Sequence, residues 1–170
     1  MPVSPRSRRL TAADRARLDL RAGDRPLVAV ELADGRRAVA SRLALHVLTA
    51  DEVTRTPWAD VDSGTLDVAT RTLSIRWVWG DTSRLTFAED RASVTFSQTF
   101  RERVQQSVVH TTSVALPDGR RARVALRRDE DGELFSQVLA ERDVDLADPA
   151  VAALVDAAED EVRDAAGLPR

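Results

Sequence analysis

Residues 27–48, LVAVELADGRRAVASRLALHVL, decide the fold. Runs 27–32 and 37–41 are rich in β-prone side chains, and Asp34-Gly35 between them tolerates the positive φ of a tight hairpin turn. A third apolar run, 43–48, follows at once and is ended by the polar residues 49–52. Three strands so closely spaced leave no room for crossover helices, so they must pair antiparallel.

The same rhythm continues downstream. Residues 53–58 lead into 61–68, the 69–71 link delivers 72–79, and Gly80-Asp81 turns the chain into 83–88. Seven strands in about sixty residues predict a curled antiparallel sheet. Phe96, Phe100, Val104 and Val108 then recur every fourth position with Arg101, Glu102, Gln105 and Gln106 between them, which is helical amphipathicity. The start of that helix is open, because residues 92–96 are β-prone and could prolong the last strand.

Upstream, residues 1–9 read as a disordered leader rich in Pro, Ser and Arg. A short helix follows, opened by a weak capping box at Thr11 and Asp14 and closed by Gly23 after Leu18 and Leu20. Beyond residue 110 come three runs, 111–116, 121–128 and 134–141. They are joined by Pro117-Asp118-Gly119 and Glu130-Asp131-Gly132 and form a three-stranded meander. The last helix has Asp148 as N-cap, Pro149 at its first position, and Gly167 and Pro169 as stop signals. Its stripe of Val151, Leu154, Val155, Ala158 and Val162 is expected to be buried on the meander, so Leu154→Asp should abolish cooperative folding. Asp156, Glu159, Asp160 and Asp164 should face water. The chain therefore divides into a leader with a short helix (1–24), a strand-rich domain with its closing helix (25–110), and a meander with a terminal helix (111–170).

The 170 residues carry 28 acidic and 25 basic side chains, a net charge of -3 that argues against a dedicated nucleic-acid binder. Every basic residue is Arg, and Lys, Asn and Tyr are absent, the imprint of GC-rich coding. Arg clusters are thus weakened as evidence for phosphate binding. Thirteen acids face three Arg in residues 129–170, which favours a basic partner there, or docking on the protein's own basic face, over an anionic partner. The absence of Cys excludes thiol catalysis and cysteine zinc sites, and two distant histidines, His46 and His110, make no spaced metal set. No metal or organic cofactor is expected. With no long apolar run and no apolar region behind the N-terminal arginines, the expectation is a cytoplasmic protein without integral membrane association.

Three stretches carry a family resemblance: ADGRRAVASRLALHVL (33–48), TPWADVDSG (56–64) and TLSIRW (72–77). Together with the order of seven strands and one amphipathic helix, they resemble bacterial pleckstrin-homology-like domains of the actinobacterial type. Pro57, Trp58 and Val61 match the Pro-aromatic-x-x-Val/Ile pattern that opens the second sheet in such domains. The resemblance covers about residues 25–110 and implies an α+β architecture: a seven-stranded antiparallel barrel capped by a helix, with the meander and last helix as an extension. It further implies a scaffold for peptide, protein or lipid-headgroup binding. Lipid-binding members place basic side chains around a roomy first loop, whereas Arg36 and Arg37 here sit on a two-residue turn, with Arg25 and Arg42 as the other nearby cations.

Few residues offer chemistry. Trp77 and Trp79 share a strand face with Leu73 and Ile75 and are expected in the core, Trp79 being alternatively an exposed aromatic platform beside Gly80. Arg121, Arg123 and Arg127 share one face of the central meander strand. They are either an anion-binding stripe or solvated side chains pairing with Glu133 and Glu141 on the next strand. Thr111, Thr112 and Ser113 beside His110 are a very weak nucleophile signal, and Asp60, Asp62 and Asp67 a loose acidic set. No nucleophile elbow, phosphate-cradling loop or His-Glu-x-x-His helix occurs. The expected function is therefore non-enzymatic binding of a protein or peptide. The contact surface should be the groove between the closing helix and an open sheet edge, with Arg101, Arg103 and Gln105 lining it and Trp79 as anchor. The alternatives are a weak anion-binding or membrane-peripheral domain and, third, an enzyme.

Overall fold

The computed structural model describes residues 10–168, so the 1–9 leader and Pro169 lie outside the described residues. The chain is a mixed α+β protein with antiparallel sheets of four, three and three strands. It divides into two compact units: residues 10–77 with 81–104, and residues 78–80 with 105–168. Among the described residues no helix is long and apolar enough to cross a membrane.

The first unit opens with a short helix α1 (Ala12–Arg17), capped by the Thr11 hydroxyl, which accepts the Asp14 N–H at 3.0 Å. The helix ends before Leu18, whose backbone is already extended, rather than running on to Gly23. Strands β1 (Pro26–Glu31), β2 (Arg37–Ser41), β3 (Ala44–Leu48) and β4 (Val53–Pro57) pair in chain order, with β1 and β4 at the edges. A single 3-10 turn at Trp58–Asp60 carries the chain into β5 (Val61–Asp67), β6 (Thr72–Trp77) and β7 (Thr82–Thr86), again paired in order. The seven strands do not close as one barrel. They form two sheets joined at one corner, where Leu32 and Phe87 make an isolated bridge and Ala33 N–H donates to the Thr86 carbonyl at 2.8 Å.

Helix α2 (Asp90–Ser107) supplies what the two sheets share. Residues 92–96, β-prone by composition, are helical because Phe96 and Phe100 must both reach the core, where they are 0% and 2% exposed. Phe96 tilts on Phe87 at 5.4 Å, and Phe100 meets the edge of Trp58 at 5.6 Å between ring centres. Trp58 is itself buried and donates its indole N–H to the Ser41 carbonyl at 3.1 Å. Gly64 on β5 is what lets the helix approach so closely. A methyl group at that position would stand 2.4 Å from the Phe100 ring. The helix stops at Ser107, so Val108 and His110, expected at its end, lie on a strand instead.

In the second unit β8 (Val108–Ala115), β9 (Arg121–Arg128) and β10 (Leu134–Leu139) form the expected meander, with β9 central. Helix α3 (Pro149–Ala165) packs on the face bearing Val124 and Leu126. The Asp148 carboxylate caps it, accepting the N–H groups of Ala150 and Val151 at 2.9 and 3.2 Å. Val155, Ala158 and Val162 are its buried stripe. Leu154 is not part of it: at 40% exposed it lies outside the contact, because the stripe follows 151, 155, 158 and 162 around the helix. Glu159, expected in water, is half-buried and accepts the Ser136 hydroxyl at 2.7 Å.

One turn is used twice. In Leu32-Ala33-Asp34-Gly35-Arg36-Arg37 and Leu116-Pro117-Asp118-Gly119-Arg120-Arg121, the Leu N–H donates to the Arg carbonyl at 2.8 Å and the Gly N–H returns to the Leu carbonyl at 3.0 Å. The Asp carboxylate accepts the Arg backbone N–H and its Nε, at 3.1 and 2.8 Å in the first turn and 2.9 and 2.7 Å in the second. Each glycine holds φ near +85°, a conformation that costs side-chain-bearing residues energy.

Candidate binding groove

The edge position of β1 follows from its sequence neighbours. The tight turn after it pairs it with β2, and α1 and its extension cover the outer sheet face, where Leu10, Leu18 and Leu20 pack with Ala29, Val39 and Leu48. Neither covers the other edge of β1. Leu32 N–H donates to the Arg36 carbonyl, so the bonded pairs of the antiparallel ladder fall at Val30 with Ala38 and Val28 with Ala40. Ala29 and Glu31, between them, direct their main-chain groups away from β2. The Glu31 carbonyl accordingly accepts the N–H of Ala88, at 3.2 Å, just before α2 begins.

From that point α2 runs back beside β1 and leaves a groove of about 350 Å³ along the strand. Residues 27–31 form one wall, and Ala88, Glu89, Arg91, Ala92 and Thr95 the other. Leu27 is 40% exposed, and Glu31, Glu89, Arg91 and Thr95 are exposed as well. Strand-edge amides beside a partly apolar trough are the elements needed to receive an extended peptide.

The residues singled out from sequence distribute differently. Arg101 and Arg103 lie at least six positions beyond Thr95 on α2, and Gln105 falls in the second unit. None lines the groove, because β1 meets the start of α2, through Ala88, and not its end. Trp79 also belongs to the second unit. β6 ends at Trp77, so Leu73 and Ile75 are buried and Trp77 partly so. Trp79 leaves their face and is 51% exposed in the turn.

The meander stripe divides too. Arg121 and Arg123 are exposed, and Arg121 Nε donates to the Ser113 hydroxyl at 3.0 Å. Arg127 is 1% exposed and donates to the Ser107 hydroxyl at 3.1 Å, so it is a buried structural group and no part of a surface stripe. The register sets Leu139 opposite Arg123 and Phe135 opposite Arg127, while Glu133 and Glu141 fall outside β10.

Asp62 and Asp67 of the acidic set are engaged separately. Asp62 meets Arg76 at 3.7 Å, whereas Asp67, about 17 Å along β5, caps the following turn through the N–H groups of Ala69 and Thr70. Among the described residues no group of three or more His, Asp or Glu is placed to hold a metal ion.

One polar cluster was not foreseen. The hydroxyl of buried Ser41 lies 3.2 Å from His46 Nε2, 2.9 Å from Asp24 Oδ2 and 3.0 Å from the Ala44 N–H and carbonyl. Asp24 and the Ala44 carbonyl only accept, so the hydroxyl proton is directed to one of them, and Nε2 is a donor. The carboxylate thus meets the hydroxyl directly, whereas a nucleophile triad sets the imidazole between hydroxyl and carboxylate. Asp24 Oδ1 also accepts the Leu43 N–H at 3.1 Å, so the cluster fastens the β2–β3 turn. The Ser-Arg-Leu-Ala-Leu-His spacing at 41–46 is the signal that could have located it. Compared with protein-family models and with curated proteins, the sequence matches none.

Proposed function

We propose that residues 25–107 form a pleckstrin-homology-like module that binds an extended segment of a partner protein, adding it as a strand to the free edge of β1. The observation that carries this reading is the coincidence of that edge with the groove beside the first turns of α2. Support for the fold assignment comes from the element order, a four-stranded antiparallel sheet, a three-stranded one and then an amphipathic helix seated in their common core.

The first hairpin favours a peptide over a lipid headgroup. Arg36 is held on Asp34, with Nη2 at 2.7 Å from its carboxylate, and Arg37 is held on Asp14 at 3.0 Å. Both cations that follow the turn are already engaged, and the turn between them and β1 is tight.

The test is a selection of random extended peptides by display on the intact chain, followed by affinity measurement on two variants. Ala29→Pro removes the outward N–H and places its ring in the groove while leaving the bonds to β2 in place. Thr95→Arg narrows the groove from the helix side. Selected peptides should bind both at least tenfold more weakly. Peptides that bind both variants as well as the parent, or a selection that yields none, would refute the reading.

A further inference from the structure

The two ends of the groove differ chemically. Where β1 meets the start of α2 stand Glu31 and Glu89; toward the start of β1 stand Leu27 and Val28, with Ala92 and Thr95 opposite. The two arginines that follow the turn do not neutralise Glu31: Arg36 is committed to Asp34, and Arg37, its cross-strand neighbour, to Asp14. Among the described residues the exposed Glu31 carboxylate has no ion-pair partner, and Arg91 is the one cation lining the groove.

We infer, resting on the peptide reading above, that the occupant is a cationic extended segment. It presents an Arg or Lys side chain to Glu31 and Glu89 and small apolar side chains to Leu27 and Ala92. Main-chain bonds at Ala29 supply sequence-independent affinity, and the acidic end sets which segments are accepted and where they stop along the strand. A segment carrying Asp or Glu at that position meets two like charges and is rejected.

The test uses capped seven-residue peptides of alternating Thr and Val, in which one position at a time is Arg, Gln or Glu. Fluorescence anisotropy is read against the full chain at two salt concentrations. At the best position the Arg peptide should bind at least tenfold tighter than the Glu peptide, and the preference should shrink as salt rises. Glu31→Gln should reduce it and Glu31→Lys should reverse it. Both variants change an exposed side chain, and circular dichroism confirms their folding. If Arg, Gln and Glu peptides bind equally well and all lose binding in Ala29→Pro, the charge inference falls and the strand-addition reading stands. If no peptide binds, or binding ignores Ala29→Pro, both fall.

Discussion

Gly64→Ala should destabilise the first unit although the backbone there is ordinary extended strand. In most strands the change would help, since glycine costs about 0.5–1 kcal/mol relative to alanine through its greater freedom when unfolded. Here the new methyl carbon would stand 2.4 Å from one Phe100 ring carbon and 3.1 and 3.2 Å from two others. Phe100 cannot swing aside, because it is 2% exposed and its ring packs against the edge of Trp58. The helix must therefore shift, and overpacking of a filled core costs about 1–3 kcal/mol. Setting the strand gain against that cost leaves a net loss between zero and about 2.5 kcal/mol, centred on about 1. Urea denaturation followed by Trp fluorescence reads it as a lower midpoint at unchanged slope. Phe100→Leu removes the offending ring edge, so the double variant should lose less than the sum of the single losses, with a coupling of about 1 kcal/mol or more. A Gly64→Ala protein as stable as the parent, or strictly additive single and double variants, would refute the claim that close approach is why glycine stands there.

Three further outcomes follow from the second unit. Val162→Asp, at a site with no exposure, should unfold the α3–meander contact, whereas Leu154→Asp should change stability by no more than about 0.5 kcal/mol; thermal melts of the two decide it. Asp148→Ala should cost about 0.5–2 kcal/mol by freeing the Ala150 and Val151 N–H groups, read by urea denaturation. The Arg120 side chain on its carboxylate, aided by the Arg120 N–H, holds Asp118 below its usual carboxyl pKa of 3.8. A depressed folded pKa gives stability that is present above the unfolded value and lost as pH falls through the folded one, so Arg120→Ala should matter at neutral pH and fade in acid. Carbon-detected NMR titration should show Asp118 moving back toward 3.8 in that variant.

Local chemistry made the strands and turns legible. Asp-Gly pairs at 34–35 and 118–119, period-two alternation and the Asp148-Pro149 start of the last helix each dictate backbone geometry within a few residues, and β1, β2, β9 and α3 lie within a residue or two of their expected bounds. What failed was wherever tertiary contact outweighs local preference. By composition residues 92–96 stand open between strand and helix, and the core decides it: a helix delivers Phe96 and Phe100 to one core and a strand would not. Leu154 looked like stripe because apolarity alone does not fix the angle of a helix on its sheet. Arg127 looked like surface because a charged residue is read as exposed until a buried hydroxyl such as Ser107 is found beside it.

The groove beside β1 is lined by other residues than the expected Arg101, Arg103, Gln105 and Trp79, and the displacement along the helix has a physical cause. Sequence tells that an amphipathic helix follows seven strands, and that its polar residues must face something other than the core. Which end of it borders an open edge depends on where the two sheets meet. They meet at Leu32 and Phe87, a contact between residues 55 positions apart that no periodicity encodes. Once that corner forms, Ala88 is bonded to Glu31 and α2 must start beside β1, so the groove lies at the N-terminal turns of the helix. The same corner consumes the Glu31 carbonyl and leaves the Ala29 amide and carbonyl as the next outward pair along β1. A strand added as proposed would therefore begin where the chain's own ladder stops.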